Sequence, residues 1–204
     1  MGGRMWPVSG IVFVLLFVVG FALIGDSGDS AAEVLAFYSE NETRLIVAFF
    51  LLAASAFAYL WFVATLRGIL AGEEAEPRFL TGLGYAGGLT TAILIIVAAT
   101  PIAALTDAAD QFGDGGGGAY ALNSMAYPLL TVGIAASSFL ALTFGLMALR
   151  GNTLPRWLGW VSLVAAPIIF VAPLFIPVFL FLAWVLVVSV ALLIPRHAEA
   201  LRRT

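Results

Sequence analysis

The polar residues best spaced to do chemistry together lie in one apolar segment: Asn123, Tyr127, Thr131 and Ser138, separated by 4, 4 and 7 positions. On a helix turning about 100° per residue they fall within about 80° of one another. A carboxamide, a phenol and two hydroxyls on one face could line a site for a small uncharged ligand. The plainer use of the same groups is hydrogen bonding between helices, worth about 0.6 kcal/mol per contact. Thr90, Thr91 and Thr100 of the preceding segment could face them, and Pro128 could kink the helix beside Tyr127.

Other chemical signals are weaker. Gly82-Leu-Gly84-Tyr-Ala-Gly87 spells G-x-G-x-x-G, but a dinucleotide fingerprint needs a strand before it and a βαβ unit around it. Here the glycines open an apolar segment after a charged turn, and Gly84 with Gly88 makes a G-x-x-x-G groove for close helix packing. Ala54 with Ala58, and Gly133 with Ser137, offer similar small-residue faces. Asp107, Asp110 and Asp114 stand beside Gly115 to Gly118, without the alternating oxygen ligands of a calcium loop, so a weak divalent site is the most they suggest. His197 is the lone histidine and there is no cysteine, which excludes a bis-His haem and the usual zinc sets. No metal or cofactor is expected. Asn41-Glu-Thr43 matches a glycosylation sequon by chance, and no G-x-S-x-G nucleophile motif occurs.

No ionisable residue lies inside an apolar segment. Proton relays, ion-coupled carriers and voltage sensors place such groups within the membrane. Without an acid–base pair, the expectation is a protein that is not an enzyme.

The elements that must position these residues are membrane helices. Of 204 residues, 62% are apolar and 10% charged, and the mean hydropathy is +1.08. A soluble domain is about 45–50% apolar and about a quarter charged. Apolar stretches of about 20 residues suit a hydrocarbon core of about 30 Å. The expected fold is all-α, a single transmembrane helical bundle over 1–204, with spans at about 6–24, 45–66, 79–105, 120–149, 157–172 and 175–194. The first could be read as a signal peptide, but no small-x-small cleavage site follows Ile24, so a retained anchor is expected. Ala31 to Tyr38 suggests a short interfacial helix. Pro173 and Pro177 divide the long run 157–194, because proline interrupts a helix; one broken last helix is the alternative.

Net charge is −3, and all nine basic residues are Arg. Arg4, Arg67, Arg78, Arg150, Arg156, Arg196, Arg202 and Arg203 fall on one side of the six spans, and only Arg44 on the other. The positive-inside rule then puts both termini in the cytoplasm, with Arg67, Arg78, Arg150 and Arg156 setting the topology. Trp6, Trp61, Trp157 and Trp160 fall in the same half. The arginines are spread over turns, so no nucleic-acid surface is expected. Arginine-only usage with much Ala and Gly suggests a bacterial plasma-membrane protein.

Leu66-Arg67-Gly68 with Pro77-Arg78-Phe79 is echoed by Leu149-Arg150-Gly151 with Pro155-Arg156-Trp157. This is either a duplicated hairpin or convergence on a good cytoplasmic turn. The second turn, Arg150 through Pro155-Arg156-Trp157-Leu158-Gly159-Trp160, resembles the turn before the fifth span in the bacterial family called domain of unknown function 4386. Ala31 to Asn41 is similar to the first outer loop of that family. The resemblance implies a multi-pass membrane protein and carries no catalytic residues. The expected role is packing or binding in the lipid bilayer, as an accessory subunit to a partner membrane protein, a homo-oligomer or a lipid-binding module. The alternative is a permease or channel for a small neutral solute.

Overall fold

The computed structural model describes residues 7–72, 79–108, 117–151, 154–172 and 176–194. They form seven helices: α1 (Val8–Ile24), α2 (Ala31–Glu40), α3 (Glu42–Ala71), α4 (Phe79–Ala108), α5 (Gly117–Arg150), α6 (Arg156–Phe170) and α7 (Ile176–Leu193). No strand occurs among the described residues.

Local chemistry sets several boundaries. Pro7 precedes α1, where a missing N–H costs nothing. Gly25, at φ 75°, ends α1 in the left-handed conformation that glycine adopts freely. α2 opens on a capping box. Ser30 Oγ accepts from the Glu33 N–H at 3.3 Å, and Glu33 Oε2 accepts from the Ser30 N–H at 3.2 Å and the Asp29 N–H at 2.9 Å. A single residue, Asn41, joins α2 to α3, and its side-chain amide donates to Phe37 O at 2.9 Å. The run 157–194 is divided as expected. α6 ends at Phe170, and Pro177 sits in the first turn of α7. Pro173 lies outside the described residues.

α3, α4 and α5 are long and apolar enough to cross a membrane. α1, α6 and α7 are shorter apolar helices. The 17 residues of α1 rise about 26 Å and the 15 of α6 about 22 Å, against a hydrocarbon core of about 30 Å.

α1, α3, α4, α5, α6 and α7 form a ring in which each packs on the next and α7 closes on α1. Contacting residues run in opposite order along each pair, so neighbours are antiparallel. Between α4 and α5, Thr91 Oγ1 donates to Gly133 O at 2.7 Å, while Thr143 Oγ1 reaches Leu80 O at 3.2 Å. Between α1 and α7, Gly10 lies against Ser189 and Phe13 against Phe181. The starts of α1, α4 and α6 therefore share one end of the bundle with the finishes of α3, α5 and α7. That end carries Arg67, Arg150 and Arg156. The opposite end carries Asp26, Asp29, Glu33, Glu40, Glu42 and Asp107, with Arg44 as its one cation among the described residues.

Glycines mark the closest seams. A Cβ at Gly88 would stand 2.7 Å from the Val63 side chain on α3, and one at Gly133 would stand 2.6 Å from Leu94 Cβ on α4. Gly145 and Gly159 bring the α5 and α6 backbones together. The helices' outer faces are apolar as well: Leu15, Phe50, Phe57, Trp61, Val164 and Phe170 are all exposed. A soluble bundle turns polar stripes outward, and this one does not.

Candidate polar site and aromatic centre

The middle of the ring is filled by large aromatic side chains. Phe13 and Phe17 come from α1, Tyr59 and Phe62 from α3, Phe144 from α5, and Phe181 and Trp184 from α7, and all are buried. Ring centroids lie 4.8 Å apart for Phe13–Tyr59, 5.6 Å for Tyr59–Phe181 and 6.2 Å for Phe144–Trp184. These are the tilted and edge-on separations that aromatic quadrupoles favour. Trp184 Nε1 donates to Ser162 Oγ at 2.9 Å, and that hydroxyl donates to Leu158 O at 2.8 Å.

The four stripe residues are placed in different surroundings. Asn123 joins two segments: its Oδ1 accepts from the Tyr38 hydroxyl of α2 at 3.0 Å, and its Nδ2 donates to Ser27 Oγ at 2.9 Å. Tyr127 lies exposed on the outer surface of α5. Thr131 is buried and donates to Pro128 O in its own helix at 3.1 Å. Ser138 is buried one turn further along the chain than Ile134. Thr91 is buried in the α4–α5 seam, its hydroxyl within reach of Gly87 O and Gly133 O. Thr90 and Thr100 are exposed, and Thr100 donates to Ile96 O.

Of the small-residue faces, Gly84, Gly88 and Gly133 lie at helix–helix seams, and Ser137 is buried. Ala54 is exposed and Ala58 half-buried on α3. Asp110, Asp114, Arg78 and His197 lie outside the described residues. Among the described residues, no group of His, Cys, Asp and Glu is placed to hold a metal ion.

Sequence reasoning missed a fully buried phenol, Tyr59. The Tyr59 hydroxyl faces the hydroxyls of Thr91 and Ser137 in the centre of the ring, yet makes no hydrogen bond. Ser137 donates instead to Ile134 O at 2.6 Å. The available signal was a tyrosine midway along a span, since tyrosines of membrane helices gather near the interfaces.

At the acidic end, burial pushes the Tyr38 phenol up to about 12, so it stays protonated as the donor to Asn123. Arg44 lies over the Phe37 ring at 5.5 Å and donates to Ile24 O at 3.5 Å. At the arginine end, Arg67 lies over the Tyr85 ring at 4.6 Å, while Arg150 and Arg156 are exposed. The buried polar groups named here are neutral donors and acceptors, suited to holding helices or a neutral group.

An all-helical chain with long helices apolar enough for a membrane, arranged around a filled aromatic centre, is the class these observations define. A family model described as "Domain of unknown function (DUF4386)" matches residues 8–197, and the chain belongs to that family. No curated protein and no solved structure matches it.

Proposed function

We propose that this is a six-span integral protein of a bacterial plasma membrane that acts by packing or binding within the bilayer, without catalysing a reaction. The spans are α1, α3, α4, α5, α6 and α7, both termini are cytoplasmic, and α2 lies at the outer interface. The role is that of an accessory subunit, a homo-oligomer or a lipid-binding module. The observation that carries this reading is the ring itself: its centre is filled by aromatic side chains and its outside is apolar. Arginines at one end and acids at the other support the orientation. The shorter α1 and α6 span by drawing flanking residues to the interface or thinning the bilayer locally, at a fraction of a kcal/mol per Å.

The permease reading rests on the stripe from Asn123 to Ser138. Those groups meet different surroundings, which gives that reading less support.

Native mass spectrometry of the protein in native membrane discs is the test. A copurifying partner chain, a homo-oligomer or one retained lipid species is expected. A bound small neutral solute, lost in the double variant Asn123→Leu with Tyr127→Phe, would replace this reading with the permease or channel.

A further inference from the structure

α2 is a short helix docked by Val34 and Tyr38, which are buried in the core, and by Leu35 and Phe37, which pack against it. Its own capping box satisfies its first turn, and Asn41 closes its last. Its underside, Val34 and Tyr38, is buried against the bundle, where it packs on α3, α4 and α5. Its outer side presents Glu33 and Glu40. The segment before it contains two left-handed glycines, Gly25 at φ 75° and Gly28 at φ 79°. The segment after it is Asn41 alone.

One side chain of α5 fastens both ends of this arrangement. Asn123 accepts a hydrogen bond from the Tyr38 hydroxyl in the last turn of α2 and donates one from its amide to Ser27 Oγ, between the two glycines. A carboxamide is the group for this, because its two ends donate and accept at once. Arg44 adds a weaker tie from α3, reaching the end of α1 and the Phe37 ring.

We propose that α2 is a strap latched by Asn123, which lifts as an intact helix about the Gly25–Gly28 segment and Asn41. The lifted state exposes Val34, Tyr38 and the apolar ends of the helices beneath them. The strap thereby controls access to the acidic end of the bundle. The proposal does not depend on which side of the membrane that end faces.

The chain has no cysteine, so a single introduced thiol reports cleanly. Val34→Cys places it on the underside of the strap. Ala148→Cys, buried near the opposite end of α5, is the control. The probe is N-ethylmaleimide, applied to protein in membrane discs, which leave both faces accessible. Losing one hydrogen bond of about 1 kcal/mol should raise the open population roughly fivefold, and losing two roughly thirtyfold. Tyr38→Phe should therefore speed labelling of the Val34→Cys thiol about fivefold, and Asn123→Ala about thirtyfold, with the control unchanged. Equal labelling rates in all backgrounds would overturn the latch. So would rapid labelling before any latch residue is changed, or a parallel rise at the control site, which would mean general loosening.

Discussion

Three alanine substitutions within Gly82-Leu-Gly84-Tyr-Ala-Gly87 should have different effects, ranked by what surrounds each glycine. Nothing lies within 4 Å of a Cβ built on Gly82. Gly82→Ala therefore gains only the helix preference of alanine, up to about 1 kcal/mol. A Cβ on Gly84 would meet Thr143 Cβ at 2.9 Å. That side chain also holds the hydrogen bond to Leu80 O, so the gain should be cancelled or slightly reversed. A Cβ on Gly87 would stand 2.5 Å from the carbonyl oxygen of Ala136 and 2.9 Å from Phe139 Cβ. Backbone cannot rotate aside, and overpacking of this kind costs about 1–3 kcal/mol. Both substitutions gain the same helix preference, so the gap between Gly82→Ala and Gly87→Ala should be the overpacking cost, about 1–3 kcal/mol. Reversible unfolding in mixed micelles by dodecyl sulfate titration, followed by circular dichroism, measures it. Equal shifts for the two, or a more stable Gly87→Ala protein, would refute the close-seam explanation.

Two further outcomes are expected. Alkaline phosphatase fused within residues 106–119 should be active, and fused at Gly151 inactive; the reverse pattern would invert the proposed orientation. Above pH 10, α2 docking should weaken. The folded Tyr38 phenol titrates near 12 and the free phenol near 10, so the folded state holds the proton more tightly. Stability from this group is complete below pH 10 and is lost as pH rises from 10 to 12. Phenolate absorbance compared with the Tyr38→Phe variant isolates this group. A midpoint near 10 for Tyr38 would contradict its burial.

The positions of the helices were legible because Arg, Pro, Gly and the acids punctuate the apolar runs. A helix stands at each of the segments expected at 79–105 and 157–172: α4 (Phe79–Ala108) and α6 (Arg156–Phe170). α3 (Glu42–Ala71) and α5 (Gly117–Arg150) extend past the expected edges, since a helix can continue through polar and small residues beyond the apolar run that marks it. The short helix expected from Ala31 is there, running on to Glu40. Inward faces were not legible. Phe62 is buried and its neighbour Trp61 exposed; Phe13 is buried and Leu15 exposed. In a bilayer both faces of a helix are apolar, so hydropathy carries no phase. Polarity recovered part of it: Asn123 and Thr131 do turn away from the outer surface. The partner of Asn123 was hidden because Tyr38 is 85 residues away. Tyr59 escaped notice among the apolar residues around it.

The way α7 closes on α1 has a consequence for the order of assembly. Every other seam of the ring joins helices that follow one another in the chain, α2 apart, so it can form as soon as each hairpin leaves the ribosome. The seam between α1 and α7 waits for the last described helix. Until then Phe13 and Phe62 lack the neighbours that Phe181 and Trp184 supply, and the flank of α1 stands uncovered. During synthesis the molecule is an incomplete cylinder with an unoccupied berth, and a foreign helix that reached it first would compete with the protein's own last one.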